Sequence, residues 1–362
     1  MTESLTFAAI PHASPTPAGT RAALIEKPDF GRVPTDHMVT IKWSVDKGWH
    51  DATVLARGPF QLDPACAVLH YAQEIFEGMK AYRTADGAIT LFRPEENARR
   101  FNESAERMAM PVIPEELFLA AIEELVRIDA DWIPAGEGGS LYIRPFMFAS
   151  EVFLGVKPAS EYIFCVIASP VGAYFKGGSK AITLWVSEHY SRAAAGGTGA
   201  AKCGGNYAGS LVAQAEAIKN GCDQVVFLDA AEHRWVEELG GMNIFFVMDD
   251  GSLITPPLGT ILSGITRNSI MELARAAGHD VREEPYSFDQ WQADARSGKL
   301  REAFACGTAA VVAGIGEVRH AGGSFAIGNS GDGPVTTALR DQLVGIQRGN
   351  VADDRKWLHG VA

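Results

Sequence analysis

Gly196-Gly197-Thr198-Gly199-Ala200-Ala201-Lys202-Cys203-Gly204-Gly205-Asn206-Tyr207 is stripped of bulky side chains around a single lysine. With so few Cβ substituents, a large group can approach this backbone closely. An amine desolvated by apolar neighbours gives up its proton more readily and can attack an aldehyde, so the stretch suits an imine-forming Lys202. It also suits a tight surface loop whose lysine is solvated, as most lysines are. The surrounding sequence decides between the two.

Working outward, the pattern predicts a strand over 181–186, the small-residue loop over 193–205, a helix over 210–220 and a strand over 224–228. A hairpin follows, its first strand over 243–248 and its turn at Asp249-Asp250-Gly251, where Asp-Gly is a strong turn signal. A further helix is predicted over 266–277. Upstream, strand-like patterns cover 38–43, 88–92 and 161–169, and helical spacing covers 95–108 and 114–128. Strands alternating with helices give a mixed α/β fold. Pro and Gly punctuate 170–179 and mark a boundary. The expected organisation is a loose arm over 1–23, a smaller α/β domain over 24–169, an interdomain loop over 170–180 and a larger domain over 181–362.

The chain has 362 residues, 47% apolar and 21% charged, within the range of ordinary globular proteins and long enough for about two domains. Its formal charge of −12 leaves no electrostatic footprint for nucleic acid, so a small-molecule partner is expected. Cys66, Cys165, Cys203, Cys222 and Cys306 are odd in number and scattered, with no C-x-x-C pair, which suggests neither a disulfide framework nor a metal site and fits a cytoplasmic protein. The start of the chain is acidic and has no signal-peptide pattern, and the apolar run at 162–171 is about half of what a membrane span requires, so neither secretion nor insertion is expected.

An imine-forming lysine points to pyridoxal 5'-phosphate, which needs a phosphate cradle, a partner for its ring nitrogen and a donor to its phenolic oxygen. Ser263-Gly264-Ile265-Thr266-Arg267 opens a helix, where the N–H groups of Ile265 and Thr266 and the helix dipole favour an anion. The same residues also make an ordinary capped helix start. Glu238, in Trp235-Val236-Glu237-Glu238-Leu239-Gly240-Gly241-Met242-Asn243, can keep a pyridine nitrogen protonated, or belong to a solvated acidic pair. Tyr207 can donate to the phenolic oxygen or pack in the core.

Together these segments resemble the branched-chain aminotransferase family, of the D-amino-acid-aminotransferase-like fold, fold type IV of pyridoxal phosphate enzymes. The likeness runs in family order through Phe30-Gly31, Thr35-Asp36-His37-Met38, HYAQEIFEGMKAYR (70–83), LYIRP (141–145), 170–179, 202–210, 238–246, 258–267 and 306–309. The resemblance implies two domains with the cofactor between them and a homodimer as the minimal unit. It makes Lys202 the Schiff-base lysine and catalytic acid/base, Glu238 the ring-nitrogen partner and Tyr207 the phenolic-oxygen donor. It makes Arg100, next to Arg99, the phosphate-binding arginine and Arg192 a second cofactor-side arginine.

On the substrate side the resemblance walls a pocket with Phe30, Phe76, Tyr142 and Tyr174, completed across the dimer interface by Tyr71, Leu154 and Val156. Arg144, with the hydroxyls of Tyr71 and Tyr142, would receive the γ-carboxylate of glutamate. The amides of Thr308 and Ala309 would hold the α-carboxylate. Core packing is the alternative for each aromatic, and a structural ion pair for Arg144. Two positions depart from some family members: Ala310 and Ala313 stand where a C-x-x-C pair occurs, so no thiol switch is expected there, and Gly241 stands for a threonine beside the side-chain pocket. The implied reaction is ping-pong transfer between L-leucine, L-isoleucine or L-valine and 2-oxoglutarate. Alternatives on the same scaffold are a D-amino acid aminotransferase and an aminodeoxychorismate lyase. A non-catalytic pyridoxal-phosphate protein is a further alternative, and a dinucleotide dehydrogenase lacks a G-x-G-x-x-G in the right setting.

Overall fold

Alternating apolar residues in the first half build one nine-stranded sheet in a computed structural model that describes residues 5–136, 138–172 and 181–361. Its strands are β1 (Ala8–Ala9), β2 (His37–Ser44), β3 (Gly48–Ala56), β4 (Glu74–Phe76), β5 (Met79–Arg83), β6 (Ile89–Phe92), β7 (Ser140–Ala149) and β8 (Glu161–Val171), with the C-terminal strand Leu358–Val361. They run in the order β1-β3-β2-β8-β7-β5-β6 and then the C-terminal strand, and β4 branches onto β7. The helices here are α1 (Ala18–Glu26), α2 (Val68–Tyr71), α3 (Pro94–Arg107) and α4 (Glu115–Ile128). Pro94 opens α3, where a missing N–H costs nothing. Phe101 of α3, Phe118 of α4 and Phe164 of β8 meet with ring centroids 5.2–5.7 Å apart, fastening both helices to the sheet. Each is fully buried, a gain of about 1.5–3 kcal/mol per side chain.

The second sheet also has nine strands: β9 (Ile182–Ser187), β10 (Gln224–Leu228), β11 (Val236–Leu239), β12 (Asn243–Met248), β13 (Leu253–Thr255), β14 (Val281–Glu283), β15 (Leu300–Gly307), β16 (Val311–His320) and β17 (Gly323–Ala326). The order is β11-β10-β9-β16-β15-β12-β13-β14, with β17 on β16. Its helices are α5 (Gly204–Lys219), α6 (Ile265–Ala276), α7 (Phe288–Ser297) and α8 (Pro334–Gln347). Trp291 of α7 is fully buried against Phe246 and Phe325, at 5.0 and 5.8 Å. The mixed α/β class is as expected, and β12 with its Asp-Gly turn falls where the turn signal put it.

Two expectations are corrected. The arm over 1–23 is not structureless: β1 pairs in parallel with β3, Leu5 and Phe7 pack on the first core, and α1 begins at Ala18. Nor do residues 181–362 form one domain. Chain contacts give one unit of the described residues through Gly172 with Ala201–Gly204 and 346–361, and a second unit of 181–200 with Gly205–Gly345. Ala201 and Cys203 are buried in the first core, and the last strand pairs with β6, which draws both segments out of the second unit. Helix α5 also starts six residues earlier than its periodicity predicts, because its first turn is glycine-rich and carries no apolar stripe.

Candidate active site

In the first unit the backbone of Lys202 is held on both sides. Its N–H donates to Ser104 Oγ at 2.9 Å, and its carbonyl accepts the N–H of Phe76 at 3.0 Å. Ser104 in turn donates to the carbonyl of Arg100 at 2.9 Å, one helical turn back in α3. The N–H of Gly204, the first residue of α5, donates to Glu74 Oε1. Burial pushes the Glu74 carboxyl up, against the pull of that N–H and of the Arg144 charge. The lysine therefore springs from a fixed three-residue span rather than from a loose surface loop.

Its amine lies 4.7 Å from the centroid of the Phe76 ring, and the Arg144 guanidinium lies 4.6 Å from the same centroid. Arg144 donates to the Tyr142 hydroxyl at 2.9 Å, and Phe30 tilts against Tyr142 at 4.9 Å. Phe30, Phe76, Tyr142, Arg144 and Lys202 thus form one connected group. The Nε of Arg144 is buried without a hydrogen-bond partner, a donor left unsatisfied by the protein. A Cβ on Gly78 would stand 2.3 Å from the Tyr142 hydroxyl, so this position has no room for a side chain. Tyr71 donates to the carbonyl of Leu154; these two and Val156 are exposed by 38%, 61% and 87%. Tyr174 lies outside the described residues.

Arg100 is buried, and its partner was not foreseen. Nε donates to Glu77 Oε1 at 2.7 Å and Nη2 to Oε2 at 2.8 Å, the two-point geometry of a strong arginine–carboxylate pair. Asn97 adds a third bond to Glu77 at 2.7 Å and the N–H of Gly78 a fourth at 3.0 Å. Burial would raise the Glu77 carboxyl, but the charges of Arg100 and Lys202 and these bonds hold it below the usual carboxylate range. Arg99, by contrast, pairs with Glu96 on the surface of α3.

In the second unit Glu238 and Arg192 form a buried ion pair at 2.7 Å. Glu238 also accepts from the N–H of Leu262 at 3.0 Å and from Asn243 at 3.3 Å. The solvated acidic pair does not exist: Glu237 and Glu238 are both buried, and Glu237 bonds to Thr260. The Arg192 guanidinium lies 5.9 Å from the Tyr207 ring centroid, and Gly241 faces the edge of that ring. The Nε of Arg192 is buried with no partner.

Asn243 joins this group to α6. Its amide donates to the carbonyl of Leu262 at 3.0 Å, and a Cβ on Gly264 would meet its oxygen at 2.0 Å. Gly264 precedes α6 in an extended conformation and makes no side-chain cap, the kind of helix start that suits an anion. Thr308 and Ala309 form the turn between β15 and β16, and neighbouring Gly307 packs on Met242 beside Gly241. Each unit therefore carries features that fit a phosphorylated pyridine aldehyde: a fixed lysine in one, a buried carboxylate and an uncapped helix start in the other.

Glu74, Glu77, Ser104 and Asn243 were missed by the sequence reading. Glu77 stood inside the quoted 70–83 stretch, and a charged residue flanked by Phe and Gly in an otherwise apolar run was the available signal.

A family profile described as Amino-transferase class IV matches residues 74–318. The branched-chain-amino-acid aminotransferase of Mycolicibacterium smegmatis is 52% identical over 359 residues, covering 98% of each chain. The probable branched-chain-amino-acid aminotransferase of Streptomyces coelicolor is 54% identical over 354 residues, 97% of this chain and 98% of the relative. Among solved structures, the branched-chain amino acid aminotransferase from Thermobaculum terrenum in its PLP form superposes with a TM-score of 0.70 at 26% identity, over 89% of this chain and 98% of that one. With likeness this extensive in sequence, the chain belongs to the class IV aminotransferases.

Proposed function

We propose that this enzyme transfers the amino group between L-leucine, L-isoleucine or L-valine and 2-oxoglutarate, using pyridoxal 5'-phosphate. The names of its near relatives favour this reading over D-amino acid transamination or aminodeoxychorismate lysis. The observation that carries the mechanism is the two-sided backbone fixation of Lys202, which fixes the point from which its amine extends.

Bound pyridoxal phosphate supplies an electron sink for the charge left when the substrate α-carbon loses its proton. Lys202 would hold the cofactor aldehyde through its amine, and the same Nζ would take the substrate α-proton. The Glu238 carboxylate, ion-paired to Arg192, would face the ring nitrogen and favour its protonated form. Tyr207 donates to the phenolic oxygen. The amides of Ile265 and Thr266, with Arg100, receive the phosphate.

Phe30, Phe76 and Tyr142 exclude water around an aliphatic side chain, with Leu154, Val156 and Gly241 shaping its end. Arg144, with the hydroxyls of Tyr142 and Tyr71, takes the γ-carboxylate of glutamate, which lets one pocket serve both substrate types. The amides of Thr308 and Ala309 take the α-carboxylate. A homodimer is proposed because Leu69 and Tyr71 of α2 and Val152, Leu154 and Val156 leave large apolar side chains exposed, with Tyr71 bonded to Leu154. A cytoplasmic setting is proposed on the five free cysteines. No helix among the described residues is long and apolar enough to cross a membrane.

The test is an absorption spectrum of wild type and Lys202→Ala before and after L-leucine, with borohydride reduction and mass spectrometry to locate the label. Wild type should be yellow, bleach on adding leucine and carry the label on Lys202. Label on another lysine, or turnover with D-alanine alone, overturns the reading.

A further inference from the structure

Glu77 lies at the end of β4, fully buried, with four donors on its two oxygens. A buried guanidinium needs a carboxylate, but charge balance alone asks for no more than one contact. Here the Nε–Nη2 edge of Arg100 is gripped at two points, and Asn97 and the Gly78 N–H both add a bond to Oε2 that anchors the carboxylate. Two parallel bonds set the plane of a guanidinium, and with it the direction of the N–H groups on Nη1. The same helix, α3, carries Asn97, Arg100 and Ser104, and Ser104 holds the Lys202 backbone. The lysine and the arginine orientation are thus referred to one rigid element.

We propose that Glu77 is a positioning residue that aims Arg100 at the phosphate of the cofactor, an inference that rests on the functional reading above. It predicts a phosphate-selective defect. A carboxylate that only supported the fold, or acted only on the charge of Lys202, would affect a phosphorylated and an unphosphorylated aldehyde alike.

The experiment titrates full-length apo protein, as wild type, Glu77→Gln and Asn97→Ala, with pyridoxal 5'-phosphate, pyridoxal and inorganic phosphate. Absorbance reads the aldehydes and thermal unfolding reads phosphate. Glu77→Gln should weaken pyridoxal 5'-phosphate by at least about tenfold and abolish stabilisation by inorganic phosphate, while pyridoxal changes by less than about twofold. Asn97→Ala, which removes a donor to Glu77 and alters neither charge, should shift the same ratio in the same direction by a smaller factor. It carries the comparison if Glu77→Gln does not fold. Equal weakening of the two aldehydes, or no weakening, overturns the positioning role. Wild type that binds neither aldehyde overturns the functional reading itself.

Discussion

The backbone N–H of Lys202 donates to the side chain of Ser104, 98 residues earlier in the chain, at 2.9 Å. Ser104→Ala should leave that N–H without its partner, costing about 1–3 kcal/mol in chemical denaturation. It should also lower kcat for leucine more than it raises KM, because the amine loses its fixed origin while the substrate contacts stay. Steady-state kinetics beside an unfolding curve check both, and unchanged kcat would remove Ser104 from the account.

Gly78→Ala places a methyl carbon 2.3 Å from the Tyr142 hydroxyl, well inside contact distance. The ring must move, and the bond from Arg144 to that hydroxyl moves with it. KM for glutamate should rise by about tenfold or more, with a smaller effect on leucine, since only glutamate brings a second carboxylate. Equal effects on the two substrates would argue against a γ-carboxylate role for Arg144.

His359, in the C-terminal strand, bonds to Glu95 of α3 at 3.0 Å and to Glu123 of α4 at 2.9 Å. Desolvation alone would depress its pKa, but the hydrogen bonds and charges of the two carboxylates raise it above the ordinary 6.5. The folded state therefore binds a proton more tightly than the unfolded chain. The stabilisation is complete below the ordinary value and fades as pH rises through the folded one. Denaturant midpoints measured from pH 5.5 to 8.5 should fall across this window for wild type and stay flatter for His359→Asn.

All five cysteines are free and buried, and burial pushes the Cys165 and Cys306 thiols up to about 12. Thiolate is the reactive form, so a disulfide reagent should label the native protein slowly and the unfolded protein at five positions. Activity should be insensitive to mild oxidant. Rapid inactivation reversed by a reducing thiol would contradict this.

Local patterns made the β12 turn and the helix start at Gly264 legible, because turn residues and helix starts act within a few residues, whereas Lys202 stood out only beside the other quoted segments. Glu77 could be noticed but not interpreted: its partner Arg100 sits 23 residues away, and only the sheet and α3 bring them together. Asn243 is similar, since its role depends on the approach of Gly264 and Glu238. The first 23 residues defeated periodicity for another reason. A two-residue strand bonded to β3 is too short to show alternation, and the exposed α1 has no buried side chain to mark a face.

The strand Leu358–Val361 closes the open side of β6, yet it is made after the whole of Gly205–Gly345. On a ribosome the second sheet can be complete while the first still presents a bare edge, so the earlier-made half finishes folding last. Deleting Leu358–Val361 would leave Ile89–Phe92 with an unpaired edge, prone to stick to other nascent chains.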